Sequence, residues 1–457
     1  MPATKYRLDS SWRRPGDGRV LIAGSPLRLF RLSTGGAQVV AMAELGEQPD
    51  TAPVHQLLDR FVDAGAMHPV HERGPFTAAH VTVVMPAYGQ LPRVLPAGVH
   101  VIIVDDASPR PLILNDADHV MTGLRHTLLR HDANRGPAAA RNTGLAQVTT
   151  PLVAFVDTDV HLTDDWLAPL LAHFADDRVA LVAPRVTGRP GTTWLHAYEQ
   201  RHSPLDLGTE PARITPGTRV SYVPAAAMVW RTHVLRELGG FDEAMRLGED
   251  VDLVWRAVAA GHRCRYEPTS VVHHEPRATA KELLRQRFGY GRSAASLAHR
   301  HPKALAPIRM SGWSALSWLL LAACHPLLAI GVAGGTTIAL QRKLTDVPPR
   351  ESARLAGLGH LAAGRQFAQA ITRVWWPVAL LAAIVSRRAR LPIAAAFVAP
   401  ALIDAARTRS TQPLTDAPFV TADQMAYGAG LWAGVLAERE VGPLWPEFTN
   451  WPSRNGE

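Results

Sequence analysis

At 457 residues the chain exceeds one ordinary domain, and 47% hydrophobic residues supply ample apolar surface for a core. Its formal net charge of +8 is carried almost wholly by arginine, a balance that suits nucleotide diphosphates and anionic lipid surfaces, while the lack of an aromatic-basic reading motif sets nucleic acid aside. Cys264 and Cys324 lie far apart with no metal-ligand spacing, and Met1 to Arg14 lacks the apolar stretch of a secretory signal; both features fit a reducing, intracellular compartment.

In chain order, Arg19-Val20-Leu21-Ile22-Ala23 and Leu27-Arg28-Leu29-Phe30-Arg31-Leu32 predict a hairpin. Ser33 is placed to cap a helix running to about Leu45, and Val54 to Ala64 has helical apolar spacing. Ala66-Met67-His68-Pro69-Val70 then closes as a short strand. Residues 1–72 thus read as a small α+β module of winged-helix type, and residues 73–80, opening on Arg73-Gly74-Pro75-Phe76, as a linker. The module resembles the PqqD-like peptide-recognition modules of systems that build cofactors from ribosomal peptides, which implies a precursor peptide as its partner. A structural cap on the downstream α/β domain is the competing reading.

Val81-Thr82-Val83-Val84-Met85-Pro86-Ala87-Tyr88 is a β-branched strand broken by proline. His100-Val101-Ile102-Ile103-Val104 delivers Asp105-Asp106-Ala107-Ser108, and Leu152-Val153-Ala154-Phe155-Val156 delivers Asp157-Thr158-Asp159. Strands alternating with helical stretches predict a mostly parallel α/β sheet, whose ligands lie outside the carboxyl ends of the strands. The acids therefore converge on one crevice. Asp157 and Asp159 are spaced to grip a divalent cation through oxygen, with a solvated turn as the bland alternative. Between the acid pairs, Asn134-Arg135-Gly136-Pro137 opens an alanine-rich helix with Arg141 in its second turn. Free backbone N–H groups and a guanidinium there suit a diphosphate.

Downstream come Leu238-Gly239-Gly240-Phe241-Asp242, then Gly248-Glu249-Asp250-Val251-Asp252-Leu253, then Val271-Val272-His273-His274-Glu275. In order and spacing these elements resemble the inverting family 2 glycosyltransferases, nucleotide-sugar enzymes of the GT-A fold, over about 81–290. The resemblance implies that the Pro86 and Ala87 backbone and Asp105 or Asp106 hold base and ribose, with Arg141 near the nucleotide. It implies that Asp159, helped by Asp157, binds Mg²⁺ or Mn²⁺ on the diphosphate, and that His274 or His273 adds a ligand. Adjacent residues on a strand face opposite sides, so only one of these histidines can reach the metal, and His274 is the favoured one. Asp250 is implied as the catalytic base, with Glu249 as the alternative. Glu249 and Asp252 otherwise read as the charged first turn of a helix, stabilised by its dipole.

Residues 291–457 are apolar and arginine-punctuated and read as a helical, membrane-associated region. Trp313 to Leu340 holds no charged residue, long enough for one bilayer span, but His325-Pro326 and Gly334-Gly335 equally suit two shorter helices. Val374 to Val385 and Leu391 to Ile403 are each too short to span, with Arg387-Arg388-Ala389-Arg390 between them. Arginines beside apolar runs compose an interface anchor, here expected on the cytoplasmic face of the cell membrane.

The whole layout is similar to that of the mycofactocin glycosyltransferases. That resemblance implies transfer of glucose from a nucleotide-sugar donor, UDP-glucose, to a peptide-derived redox cofactor, building a β-1,4-linked oligosaccharide. Two other classes stay open: a polyprenyl-phosphate or cell-envelope glycosyltransferase, and a non-catalytic peptide-delivery adaptor.

Overall fold

The computed structural model describes residues 5–47, 49–114 and 125–449. The first four residues of the expected module and the last eight of the expected C-terminal region lie outside them. The chain gathers into two compact units, residues 1–14 with 21–276, and residues 15–20 with 277–457.

The first unit opens with β1 (Lys5–Leu8), β2 (Val20–Ala23), β3 (Arg28–Arg31), α1 (Thr34–Glu44), α2 (Ala52–Asp63) and β4 (Met67–Val70). β1 pairs antiparallel with β4, and β2 pairs with β3. The Ser33 hydroxyl accepts the Gly36 N–H at 3.1 Å, satisfying one of the helix's orphan donors. Leu21, Val40, Leu58, Phe61 and Met67 form a small core, with Trp12 and Phe30 set edge-on to Phe61 at 5.8 and 5.1 Å.

There follow β5 (Val81–Ala87), β6 (His100–Asp105), β7 (His126–Arg130), α3 (Pro137–Gln147), β8 (Leu152–Val156), β9 (Val160–Leu162), α4 (Ala168–Ala172), β10 (Val179–Gly188), α5 (Trp194–His202), β11 (Ala212–Arg213), β12 (Ala227–Arg231), α6 (Thr232–Glu237), α7 (Glu249–Ala259) and β13 (Arg263–His274). They build a nine-stranded sheet in the order β11-β13-β10-β12-β8-β5-β6-β7, with β9 on β13. The strands β8, β5, β6 and β7 are parallel, as the buried apolar runs of the first three predict. Over its full width the sheet is mixed, because β12 lies antiparallel to both β8 and β10. Residues of β12 are buried on both faces, so its composition carries no sign of direction. Gly144 explains how α3 reaches the sheet: a Cβ there would sit 2.3 Å from a Val84 methyl, so only glycine permits this approach. The parallel half thereby brings the tips of β5, β6 and β8 to the start of α3.

The second unit contains α8 (Ala280–Arg300), β14 (Arg309–Ser311), α9 (Gly312–Ala322), α10 (Pro326–Lys343), α11 (Pro349–Arg373), α12 (Trp376–Val385), α13 (Arg387–Thr408), α14 (Gln412–Glu438) and β15 (Glu447–Thr449). α8 and α14 touch backbone to backbone: a Cβ on Gly291 would fall 1.9 Å from the Tyr427 carbonyl oxygen, and one on Gly430 1.9 Å from that of Phe288. The charge-free run Trp313 to Leu340 is two helices, not one. α9 ends where Cys324 turns left-handed (φ 63°), and Pro326 starts α10. Among the described residues, α13 alone is long and apolar enough to cross a membrane by itself; α11 and α12 reach that length together but are bent by 87°. Leu381, Ile384 and Val385 of α12 and Leu391, Val398 and Leu402 of α13 are exposed.

Candidate active site

The tip of β8 hands over to Asp157, whose N–H bonds the Ala226 carbonyl at 3.0 Å beside β12. Asp157 accepts Arg141 Nη2 at 2.7 Å, and Arg141 Nη1 reaches Glu249 Oε1, also at 2.7 Å. Arg141 is only 3% exposed, with its guanidinium 5.4 Å from the centre of the Phe241 ring. One buried cation therefore joins α3, the D-x-D turn and the first residue of α7. Burial opposes its charge, yet Asp157 and Glu249 hold its pKa above the ordinary guanidinium value.

Two residues beyond Asp157, Asp159 Oδ2 lies 3.3 Å from His274 Nε2. The pairing of β9 with β13 sets this approach, with Val160 opposite His274 and the Glu275 N–H on the Asp159 carbonyl at 2.9 Å. His273 turns the other way and meets the Thr187 hydroxyl at 2.9 Å, as strand alternation requires. Of the two histidines, only His274 faces the D-x-D turn.

α7 begins after Gly248, which is left-handed at φ 83°. Its first-turn acids have three different environments. Asp252 is fully enclosed and takes Arg256 Nε at 2.8 Å, while the other Arg256 nitrogens hold the carbonyls of Leu238 and Gly240 at 2.6 Å each. That is the structural reading of Asp252. Glu249 is buried against Arg141; burial first, and then Asp250, push its carboxyl up to about 7. Asp250 is half-buried and accepts the Ala225 N–H at 3.0 Å through Oδ2. Of the three acids it is the one with access outward, which a proton acceptor needs.

At the tips of β5 and β6 the backbone is laced together. The Ala87 carbonyl accepts the Asp106 N–H at 2.9 Å, next to half-buried Pro86, and the Gly89 N–H reaches Ser108 Oγ at 2.8 Å. Asp105 accepts the Ser108 N–H at 2.9 Å and the Leu112 N–H at 3.3 Å, and pairs with Arg130. Against the pull of burial, these donors hold its carboxyl below the usual range. Asp106 accepts the N–H groups of Arg135 and Gly136 at 2.9 and 2.7 Å and meets His131 Nδ1 at 2.8 Å.

Two of the groups expected at the nucleotide have partners within the protein. The backbone N–H groups of the 134–137 turn, expected to receive a diphosphate, serve Asp106 instead, which fills the dipole end of α3 with its own carboxylate. Arg141, expected beside the nucleotide, has two of its nitrogens committed to Asp157 and Glu249. It bridges the two acids. Sequence reasoning missed Phe241 and Asn142: Asn142 accepts the Phe241 N–H at 2.9 Å and donates to the Phe241 carbonyl at 2.8 Å, which seats that ring beneath Arg141. Both residues stand in segments that carry the resemblance, but their pairing joins positions about a hundred residues apart.

A divalent cation fits this donor set in part. Among the described residues no three His, Cys, Asp or Glu side chains gather as ligands. Asp159 and His274 do offer one oxygen and one nitrogen side by side. A hard cation held by one or two protein groups, with phosphates and water completing its shell, needs no more.

A parallel-edged mixed sheet that gathers acids at its carboxyl ends, with one acid open to solvent at a helix start, defines the GT-A class of nucleotide-sugar transferases. The model of Glycosyl transferase family 2 matches residues 82–238. A "Pre-mycofactocin glycosyltransferase" of Mycobacterium tuberculosis is 40% identical over 97% of this chain and 97% of its own length. The mouse "Polypeptide N-acetylgalactosaminyltransferase 15" is 27% identical over 38% of this chain and 30% of its own. Among solved structures, a mannosyltransferase from Pyrobaculum calidifontis in complex with GDP-Man and Mn²⁺ aligns over 79% of this chain and 90% of its own, with 18% identity and a TM-score of 0.41. The chain belongs to the pre-mycofactocin glycosyltransferases of family 2.

Proposed function

We propose that this glycosyltransferase moves glucose from a nucleotide-sugar donor, UDP-glucose, onto the peptide-derived cofactor mycofactocin or its precursor, with inversion, and repeats the step to build a β-1,4-linked oligosaccharide. What carries this reading is the end-to-end identity with the Mycobacterium tuberculosis protein, which covers the N-terminal module and the C-terminal helices as well as the catalytic sheet. Asp250 takes the proton of the acceptor hydroxyl as it attacks the anomeric carbon. Arg141 keeps Glu249 and Asp157 in register behind it, so that donor and acceptor meet at a fixed separation. Asp159 and His274 would hold Mg²⁺ or Mn²⁺, which neutralises charge on the departing nucleoside diphosphate. Asp105 and Asp106, with the Pro86 and Ala87 backbone, border the place for base and ribose. The N-terminal module takes a precursor peptide or a peptide-bound acceptor.

The exposed apolar faces of α12 and α13 support attachment to the cytoplasmic leaflet. Leu391 to Ile403 rises only about 20 Å as a helix, against a hydrocarbon core of roughly 30 Å. Although the whole of α13 is long enough to cross, Arg387, Arg388 and Arg390 before this run and Arg407 after it favour a helix lying in the interface. The same faces favour a second reading, in which the acceptor is a polyprenyl-phosphate or another cell-envelope lipid.

The test is mass spectrometry of products from purified enzyme, UDP-glucose, Mn²⁺ and extracts of small molecules from cells lacking the protein. Water-soluble species gaining hexose increments support the first reading. Sugar found only in the solvent-extracted lipid supports the second.

A further inference from the structure

Arg263, Arg265 and Glu267 alternate along β13 and so project to one face of the sheet. Arg263 is fully engaged with the N-terminal module and the loop before β10: its Nε reaches Asp63 at 2.7 Å, its Nη2 reaches Asp59 at 3.1 Å, and its Nη1 pairs with Asp176. Glu267 takes His173 Nε2 at 2.8 Å. Between them Arg265 is 3% exposed, and its Nε and Nη1 have no hydrogen-bond partner among the described residues.

The acids around it are already taken. Asp59 also receives Arg178 at 2.7 Å, and Asp176 receives Arg178 at 3.4 Å. Asp9, facing the seam from the module, holds His68 at 3.1 Å and Arg219 at 3.3 Å. Arg213, paired with Arg265 across β11, donates to the Asp63 carbonyl. Burial, then neighbouring Arg263, push Arg265 down only to about 10, with Asp176 and Asp63 pulling the other way without reaching its Nε or Nη1, so it remains charged at neutral pH. A desolvated guanidinium with unfilled donors is strongly unfavourable unless a counter-charge reaches it.

We propose that Arg265 is the cationic floor of a small-anion site in the seam between the N-terminal module and the catalytic sheet, taking chloride or a formate-sized carboxylate as a structural ligand. The near-complete burial selects for size. The consequence is functional: the anion completes the charge balance that docks the module, so docking strengthens with anion concentration.

The test uses the full chain. At constant ionic strength, thermal melting is followed as sodium formate or sodium chloride replaces sodium gluconate, whose carboxylate is on a chain too bulky for the site. The wild type should show a saturable rise in Tm on the order of a few degrees. Arg265→Met should show none, and should melt higher than the wild type in gluconate, since it removes a buried charge whose Nε and Nη1 lack partners. An equal response in both proteins, or none in the wild type, overturns the proposal. Should Arg265→Met not fold, trypsin cleavage in residues 73–80 of the wild type decides the matter: slower cleavage in formate than in gluconate upholds the site, and equal rates defeat it.

Discussion

Arg141 and Glu249 meet at 2.7 Å although 108 residues separate them, and the same guanidinium grips Asp157 at 2.7 Å. The start of α7, which carries the candidate base, is thereby tied to the turn that carries the candidate metal ligands. A buried cation between two carboxylates makes the geometry of donor and acceptor sides one variable instead of two.

Removing that cation should therefore cost both stability and turnover. Arg141→Met leaves buried Glu249 and half-buried Asp157 without this partner, a loss of up to roughly 3 kcal/mol, the low end for broken buried pairs. Transfer should fall at least about 10²-fold. Arg141→Lys can serve only one of the acids well and should lie between. Chemical denaturation beside initial rates measures both effects, and a stable, active Arg141→Met would show the bridge to be dispensable.

Metal use should divide the D-x-D pair. Asp159, beside His274, is placed to bind a cation directly, whereas Asp157 is occupied by Arg141. Asp159→Ala should abolish metal-dependent nucleotide binding, and Asp157→Ala should weaken it less. Calorimetric titration with UDP and Mn²⁺ reads this out; unchanged metal dependence in Asp159→Ala would remove it from the metal site.

For the base, Asp250→Asn keeps the shape and the contact with Ala225 but cannot accept a proton. Turnover should drop by at least about 10²-fold with donor affinity near that of the wild type. Surviving turnover would transfer the role to Glu249.

Stability should fall with rising pH through the acids around Arg141, since burial raises the carboxyls of both Asp157 and Glu249. Glu249 titrates at an ordinary value of 4.5 when unfolded and is raised to about 7 in the fold. The folded state then holds the proton more tightly, so its stabilising contribution is complete below the unfolded value and is lost as pH rises through the folded one. Glu249→Gln should flatten this part of the stability curve between those limits. Denaturant midpoints measured across the window test it, and parallel curves for variant and wild type would contradict the assignment.

Deleting residues 1–72 should lower the melting temperature, because Arg178, Arg219 and Arg263 lose Asp59, Asp9 and Asp63 as partners. Nucleotide affinity below the melting range should persist, since Asp105, Asp157, Asp159 and Asp250 all lie beyond the linker. Differential scanning calorimetry beside nucleotide titration checks the pair. A simultaneous loss of affinity would make the module a cap for the donor site.

The chain itself was enough to locate the strands ending in Asp105 and Asp157, the helix after Gly136, the acids at the start of α7 and the capped helix after Ser33. Each rests on local chemistry: buried apolar runs, a proline turn, a hydroxyl before a helix. It also limited the histidine facing the D-x-D turn to one of two neighbours, because strand alternation is a local rule. The tertiary structure alone decided what those residues touch. That Arg141 bridges Asp157 and Glu249, and that Asp106 accepts the N–H groups of Arg135 and Gly136, follows only from the folded chain. The direction of β12 and the break between α9 and α10 likewise depend on which surfaces pack. Periodicity records which residues are buried; the identity of a charged group's partner depends on contacts about a hundred residues apart in sequence, and no local pattern encodes them.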